Sequence, residues 1–146
     1  MEKVEFLVLR NLLHNEEYLR KVIPFIKPEF FEDYNQKVVF EEIVDFVNQY
    51  NERPTKEVLS IELQKRNDIN ENSFREIAQL INSLDEFPAE YEWLLDTTEK
   101  WCKDRSIYLA LIESIQIADG GSKEKTPDAI PSILSDALAV SFDNHV

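Results

Sequence analysis

Glycine and cysteine are nearly absent from this sequence. Its 146 residues contain two glycines, Gly120 and Gly121, and one cysteine, Cys102. Short β-rich folds usually need more glycines at their turns, so an all-α fold is favoured. A single cysteine forms neither a disulfide framework nor a cysteine metal site within one chain, which suits a reducing cytoplasm. Cys102 is predicted to be a packing residue, because this acidic chain does not supply the electropositive setting that activates a thiol.

Positive charge is scarce as well. The chain has 16 basic and 29 acidic residues, a formal net charge of −13. Counterion release from a DNA backbone cannot drive binding over most of such a surface. Short basic clusters occur at Lys100, Lys103 and Arg105, and at Lys123 with Lys125. We therefore expect protein partners rather than direct binding to duplex DNA.

Long apolar runs and targeting signals are also missing. No stretch approaches the roughly twenty apolar residues that a membrane span needs. The first ten residues lack the basic flank and the small-residue cleavage site of a secretory signal. The sequence predicts a soluble, cytoplasmic protein that has no membrane partner.

The sequence also lacks recognisable catalytic motifs. His14 and His145 are the two histidines, too few to suggest a nucleophile with an oriented base. The string Gly120-Gly121-Ser122-Lys123 is not a phosphate-binding loop, since Ser122 separates glycine from lysine and no strand precedes it. It is predicted to form a turn between helices. We predict no catalytic, cofactor-binding or metal-binding residue in this chain.

One acidic cluster gives an alternative to that prediction. Glu42 and Asp45 lie within one helical turn, beside Glu41, and carboxylates so placed could hold a divalent cation. All-α, magnesium-dependent nucleotide pyrophosphohydrolases use carboxylate-rich helices of this appearance, but the second acidic helical pair is not evident here. We interpret the cluster as a solvated helix face opposite Val39 and Ile43.

Helical periodicity runs through the first 87 residues. Apolar residues predict a helix from Glu2 to His14, a second that Asn15 caps and that ends near Phe25, and a third that ends near Asn51. A further helix is predicted after Thr55, and another helix is predicted to end at Asp85. The third helix is expected to bury Val39, Ile43, Phe46, Val47 and Tyr50. Residues 1–87 are thus predicted to form a helical head of about six short helices.

Residues 88–146 have a different pattern. No glycine or proline interrupts the chain after Pro88, which predicts a long helix from Pro88 to about Ala118. A turn over residues 119–126 leads to a last helix ending near Phe142. This helical hairpin has more apolar surface than its own short second helix can cover, so we expect it to pair with another subunit. The predicted interface residues are Leu94, Trp101, Tyr108, Ile112, Ile115, Ile130, Ile133, Leu134 and Leu138. Within this set, Trp101 is expected to be an aromatic anchor whose truncation weakens assembly.

The order and spacing of several segments resemble the N-terminal region of DnaB-type replicative helicases of T-even-type bacteriophages. The segments are Tyr18 to Pro24, Pro28 to Phe31, Trp93-Leu94, Thr98-Glu99-Lys100, Arg105, Ala129-Ile130-Pro131, Ala137-Leu138 and Ser141-Phe142-Asp143. The resemblance implies a small helical head with a hairpin that pairs with a neighbour to form a collar, described as a trimer of dimers, which also communicates with primase.

The same resemblance implies properties of a longer parent protein. That protein would be a hexameric ring that moves along single-stranded DNA and unwinds duplex DNA with ATP or GTP and magnesium. This chain would stop where a linker to the ATPase domain begins, would hold no cofactor, and would be a monomer or dimer in isolation.

Two other functions share parts of the pattern. A free-standing acidic helical adaptor or inhibitor that mimics nucleic acid charge fits the composition and predicts that the reading frame ends at Val146. The magnesium-dependent hydrolase would require turnover of nucleoside triphosphates. A phosphate-binding loop encoded downstream of Val146 would distinguish the helicase from the adaptor.

Overall fold

The computed structural model describes residues 2–143, and the all-α prediction is confirmed over that range, where helices occur without β-strands. Three short 3₁₀ turns, Ile23–Phe25, Pro28–Phe30 and Pro127–Ala129, join some of the helices. The α-helices are α1 (Glu2–His14), α2 (Glu16–Val22), α3 (Tyr34–Tyr50), α4 (Lys56–Gln64), α5 (Glu71–Ser83), α6 (Tyr91–Ala118) and α7 (Ile130–Leu138).

The chain divides into two compact units, Met1–Leu95 and Asp96–Val146. The division falls inside α6. The last residues of the first unit and the first residues of the second unit thus belong to one continuous helix. The domain boundary that the sequence suggested, between residues 87 and 88, stays a prediction.

Polar side chains start most of the helices. Asn15 and Thr55, both predicted as caps, accept hydrogen bonds from the backbone N–H groups of Tyr18 and Val58 at 3.0 and 3.2 Å. Asp33 and Asn70 cap α3 and α5 in the same way. Each cap satisfies an N–H group that has no partner within its helix.

Two predicted helix boundaries were wrong, each because of one residue. The second helix ends at Val22 rather than Phe25, since Pro24 has no N–H to donate and the chain tightens into a 3₁₀ turn. The long helix begins at Tyr91 rather than Pro88. Carboxylate oxygens of Glu90 accept from the N–H groups of Glu92 and Trp93 at 3.0 and 3.1 Å, which caps the helix there.

The core of the first unit contains side chains from α1 to α5 and from the first turn of α6. Its largest completely covered residues are Leu9, Leu12, Tyr18, Leu19, Phe40, Ile43, Leu59, Leu63, Ile77, Ile81, Leu84 and Leu94. The prediction that α3 buries Val39 and Ile43 is confirmed. The prediction for Tyr50 was wrong: it is exposed in the last turn of α3, with its ring 4.7 Å from that of Phe46.

Asn51 ends α3 in the left-handed conformation, with φ at 54°. Arg20 donates from its two terminal nitrogens to the side-chain and backbone oxygens of Asn51, both at 2.8 Å. We expect Asn51→Ala to lower the free energy of unfolding by about 1–2 kcal/mol, because asparagine adopts the left-handed conformation more readily than alanine does and alanine cannot bind Arg20 through a side chain. Urea denaturation measures the change.

Asn51→Gly is the matched control. It loses the same side-chain hydrogen bond to Arg20 but keeps easy access to positive φ. The glycine variant should therefore be more stable than the alanine variant. Equal losses for the two variants would contradict the conformational explanation.

Candidate subunit interface

The second unit contains a chain reversal that two hydrogen bonds define. Glu113 accepts from the side chain of Lys125 at 2.7 Å, and Glu99 accepts from the backbone N–H of Phe142 at 2.7 Å. The earlier residue on α6 thus binds the later residue on the returning segment, which is the order of an antiparallel hairpin. The predicted hairpin is confirmed, although α7 ends at Leu138 instead of near Phe142.

The turn of the hairpin contains both glycines. Gly120 has a φ of 77°, in the left-handed region, and the N–H of Gly121 donates to the carbonyl oxygen of Gln116 at 2.8 Å. This pattern satisfies the last carbonyl groups of α6. Ser122 accepts from the N–H of Lys125 at 3.1 Å, so this segment is the predicted helix-ending turn.

One side of α6 in the second unit is covered by the chain itself. The buried residues of this unit are Thr98, Trp101, Cys102, Ala110, Ser114, Ile117, Ala137 and Phe142. Burial raises the pKa of the Cys102 thiol to about 12, and the negative charge of Glu99 adds to the effect. Cys102 is therefore a protonated packing residue at neutral pH, as predicted.

Another side of α6 is apolar and exposed. Tyr108, Leu111, Ile112 and Ile115 retain 50%, 47%, 37% and 59% of their accessible surface. Steps of three and four residues place these side chains on one helix face. We call this set the apolar stripe. Beside it, the guanidinium of Arg105 lies 4.9 Å from the centre of the Tyr108 ring, a cation–π contact.

The predicted interface residues do not all lie on this surface. Leu94 and Trp101 are buried within the chain, and Ile130, Ile133 and Leu134 on α7 are half-buried. Leu138 is 58% exposed. Leu111 belongs to the stripe but not to the predicted set, and its position three residues after Tyr108 is the signal that identifies it. The assignment of these residues to a subunit interface stays a prediction.

The acidic cluster on α3 is solvated only in part. Asp45 is exposed, but Glu42 is buried, and for Glu42 the prediction of a solvated residue was wrong. Arg66, just after α4, donates to Glu42 at 3.0 Å and contacts Glu41 at 3.4 Å and Asp68 at 2.8 Å. The side chains of Glu42 and Arg66 are 11% and 20% exposed. No local pattern in the sequence indicates this contact, since residues 42 and 66 meet only through the packing of α3 on α4.

The electrostatics of this cluster follow from its burial. Burial raises the pKa of Glu42, while the hydrogen bond and charge of Arg66 act against that rise. The hydrogen bond to Asp68 raises the pKa of Arg66 further above its ordinary value. A permanent cation thus occupies the position that the hydrolase alternative would give to a metal ion. Within residues 2–143, no group of three or more His, Cys, Asp or Glu side chains is arranged to hold one.

Of the two histidines, the structure describes His14. A ring nitrogen of His14 lies 2.6 Å from the carbonyl oxygen of Leu84, so it donates to the C-terminal end of α5. His145 lies outside the described residues. In the part of the chain that the structure describes, no helix has both the length and the apolarity to cross a bilayer.

Comparison with known proteins decides the family. The model of the DnaB-like helicase N-terminal domain matches residues 1–91, more than half of the chain. The chain belongs to this family. The predicted resemblance to DnaB-type helicases is thereby confirmed.

This DnaB-like N-terminal domain also resembles a curated relative. It is 30% identical over 148 residues to the "DnaB-like replicative helicase" of Enterobacteria phage T4. The alignment covers 96% of this chain and 31% of the relative, so the chain spans about a third of that protein's length. The apolar stripe lies after residues 1–91, the part of the chain that the family model matches. The alignment with the phage T4 relative, in contrast, covers almost the whole chain.

Proposed function

We propose that this DnaB-like domain pairs subunits in the collar of a ring-shaped replicative helicase. The observation that carries the proposal is the apolar stripe on α6. Four large apolar side chains that adjoin on one helix face are an unusual surface for a monomer, and such patches mark interaction sites. Tyr108 also has the amphipathic character of residues that anchor interfaces.

The charge of the domain supports a protein partner over DNA. With a net charge of −13, most of the surface repels a phosphate backbone. A second subunit would instead cover the stripe by apolar contact. Closed rings are built from such repeated contacts, and two-fold contacts within them use the same patch on both subunits.

The properties of the parent helicase remain part of the proposal. We propose, from family membership, that it assembles as a hexamer, encloses single-stranded DNA, contacts primase through this tier and hydrolyses ATP or GTP with magnesium in a separate domain. The name of the phage T4 relative supports replication in the cytoplasm of a host cell.

The interface prediction is tested by placing charge in the stripe. We expect the double substitution Ile112→Asp with Ile115→Asp to weaken self-association at least about tenfold, because two carboxylates would have to be desolvated in the contact. Sedimentation velocity over a range of protein concentrations measures the association. Circular dichroism checks that the helical content is retained.

Ile61→Asp is the matched control. Ile61 is an isoleucine on α4 with 50% of its surface exposed, outside the stripe. This control should associate as the unaltered chain does. The proposal fails if the unaltered chain stays monomeric up to about 1 mM, a concentration at which even weak pairs associate, or if Ile61→Asp is as disruptive as the double substitution.

A further inference from the structure

One arginine of the first unit makes no hydrogen bond or ion pair among the residues that the structure describes. This residue is Arg10 on α1, whose Nε atom is buried without an acceptor. Its two terminal nitrogens also lack an acceptor there, but they are not buried. In contrast, Arg20, Arg53, Arg66 and Arg75 each bind a carboxylate or amide oxygen. The accessible end of the Arg10 guanidinium thus has N–H donors that the described part of the chain does not use.

Two aromatic rings hold this guanidinium in place. The central carbon of the Arg10 guanidinium lies 5.7 Å from the centre of the Phe6 ring and 5.0 Å from the centre of the Phe87 ring. Both distances are in the range of cation–π contacts. Because the rings and the burial of Nε restrict the side chain, it would lose little conformational entropy on binding a ligand. The unused donors are therefore pre-organised.

Phe87 adds an apolar surface beside the guanidinium. Its side chain is 65% exposed. It lies in a segment without regular secondary structure, residues 84–90, that starts at the completely covered Leu84. An exposed ring of this kind offers a large contact area to an apolar side chain of a partner. Arg10 and Phe87 together thus give one surface with a cationic part and an apolar part.

The charges around this surface favour a ligand with a single negative charge. Lys3 is exposed and precedes Arg10 by about two helical turns on the same face of α1, which adds positive potential. Asp85 is already bound by Lys56 at 2.5 Å. Glu86, next to the exposed ring, would repel the successive phosphates of a nucleic acid. One carboxylate, in contrast, needs only one guanidinium, to which it binds through two parallel hydrogen bonds.

We propose that Arg10 and Phe87 form a docking site for a segment of a partner protein that carries one carboxylate beside an apolar side chain. The carboxylate accepts hydrogen bonds from the terminal nitrogens of Arg10, and the apolar side chain packs on the ring of Phe87. This site belongs to the first unit, whereas the apolar stripe belongs to the second. The inference therefore goes beyond the proposed function and does not depend on self-association through the stripe.

A small carboxylate tests the site. The probe is phenylpropionate, which joins one carboxylate to one ring, and phenylpropanol is its uncharged counterpart. Proton–nitrogen correlation spectra of the full 146-residue chain are recorded at about pH 6, where the probe is ionised. We expect phenylpropionate, but not phenylpropanol, to move the Nε–H signal of Arg10 until the site is saturated. The Nε–H signal of Arg75 should not move, which makes it the internal control.

Two substitutions test the two parts of the site. The backbone amide signal of Glu86, which both variants retain, follows the probe, and the other amide signals check that each variant is folded. Arg10→Lys keeps the charge but loses the pair of parallel donors, so we expect the affinity for phenylpropionate to fall at least about fivefold. Phe87→Ala removes the ring and should lower the affinity about threefold. Arg75→Lys, on α5, is the matched control and should stay within about twofold of the unaltered chain.

Four results would overturn the proposal. The first is an Arg10 signal that does not move up to about 50 mM phenylpropionate, a concentration that fills even a weak site. The second is an equal response to phenylpropanol, which would mean an apolar surface without selectivity for charge. The third is a stronger response to oligothymidylate, which would assign the site to single-stranded DNA. The fourth is a signal that moves with protein concentration alone, which would assign the surface to a second copy of this chain.

Discussion

Trp101→Ala is expected to lower the free energy of unfolding by about 3 kcal/mol. Trp101 is 7% exposed, so truncation removes a large buried side chain and leaves a cavity that the surrounding helices cannot fill completely. This expectation replaces the earlier interpretation of Trp101 as an interface anchor. Chemical denaturation, followed by circular dichroism, measures the loss.

Trp93→Ala is the matched control. Trp93, the other tryptophan of the chain, is 52% exposed on the same helix, and its truncation should change stability by no more than about 0.5 kcal/mol. Each variant keeps one tryptophan, so fluorescence reports on the one that remains. Acrylamide should quench Trp93 in the Trp101→Ala variant more strongly than Trp101 in the Trp93→Ala variant.

The result decides between two roles of Trp101. A Trp101→Ala variant with unaltered stability and weakened self-association would contradict the burial of Trp101 within the chain. It would support the interpretation of Trp101 as an anchor of the subunit interface. A large loss of stability supports a packing role for Trp101. In that case, any loss of self-association follows from unfolding.

Local signals made much of the fold predictable. The first helix has the predicted bounds of Glu2 and His14, since apolar spacing and the cap at Asn15 act within a few residues. Thr55 and the two glycines likewise act through their own backbone neighbours. Each of these features can be predicted without knowing what packs against the helix.

The covered and exposed sides of α6 were not predictable in the same way. Leu94, Trp101, Tyr108 and Ile115 recur every seven residues, and this spacing is typical of one continuous seam along a helix. A straight helix rotates by about 20° per heptad relative to that repeat. Over three heptads the seam turns by about 60°. Its early members, Leu94 and Trp101, are buried, whereas Tyr108 and Ile115 are exposed, and which of them is covered depends on the packing around α6 and not on the repeat.

The contact between Glu42 and Arg66 was unpredictable for another reason. A carboxylate next to Glu41 on an amphipathic helix has the pattern of a solvated residue. Its burial depends on α4 packing against α3 and on Arg66 following the last turn of α4. Such tertiary partners have no fixed spacing in sequence.

Arg66→Met is the second substitution with a large expected effect. It leaves the mostly buried carboxylate of Glu42 without its cation, and we expect a loss of about 2 kcal/mol near pH 7. This value lies below that for a fully buried pair because both side chains retain some contact with water. Arg75→Met, at an exposed arginine on α5, is the matched control and should have little effect.

The loss should also depend on pH, with a sign that follows from Glu42. Burial raises its pKa above the ordinary value of 4.5, so the folded state binds the proton more tightly than the unfolded state. Stability from this group therefore increases as the pH falls from neutrality through the folded pKa. Without Arg66 to oppose the rise, the variant should recover more of its stability than the unaltered chain between about pH 7 and about pH 5.

A second substitution assigns this recovery to Glu42. In the Arg66→Met background, Glu42→Gln removes the titrating group, so the additional recovery between the two pH values should disappear. Asp68 does not interfere: in the unaltered chain Arg66 lowers its pKa from 3.8, so the stability it contributes is lost only at a pH below this range, and in the Arg66→Met background that contribution is absent at every pH. If the recovery persists in the double variant, another group causes it, and the interpretation of Glu42 as a carboxylate whose charge depends on Arg66 is wrong.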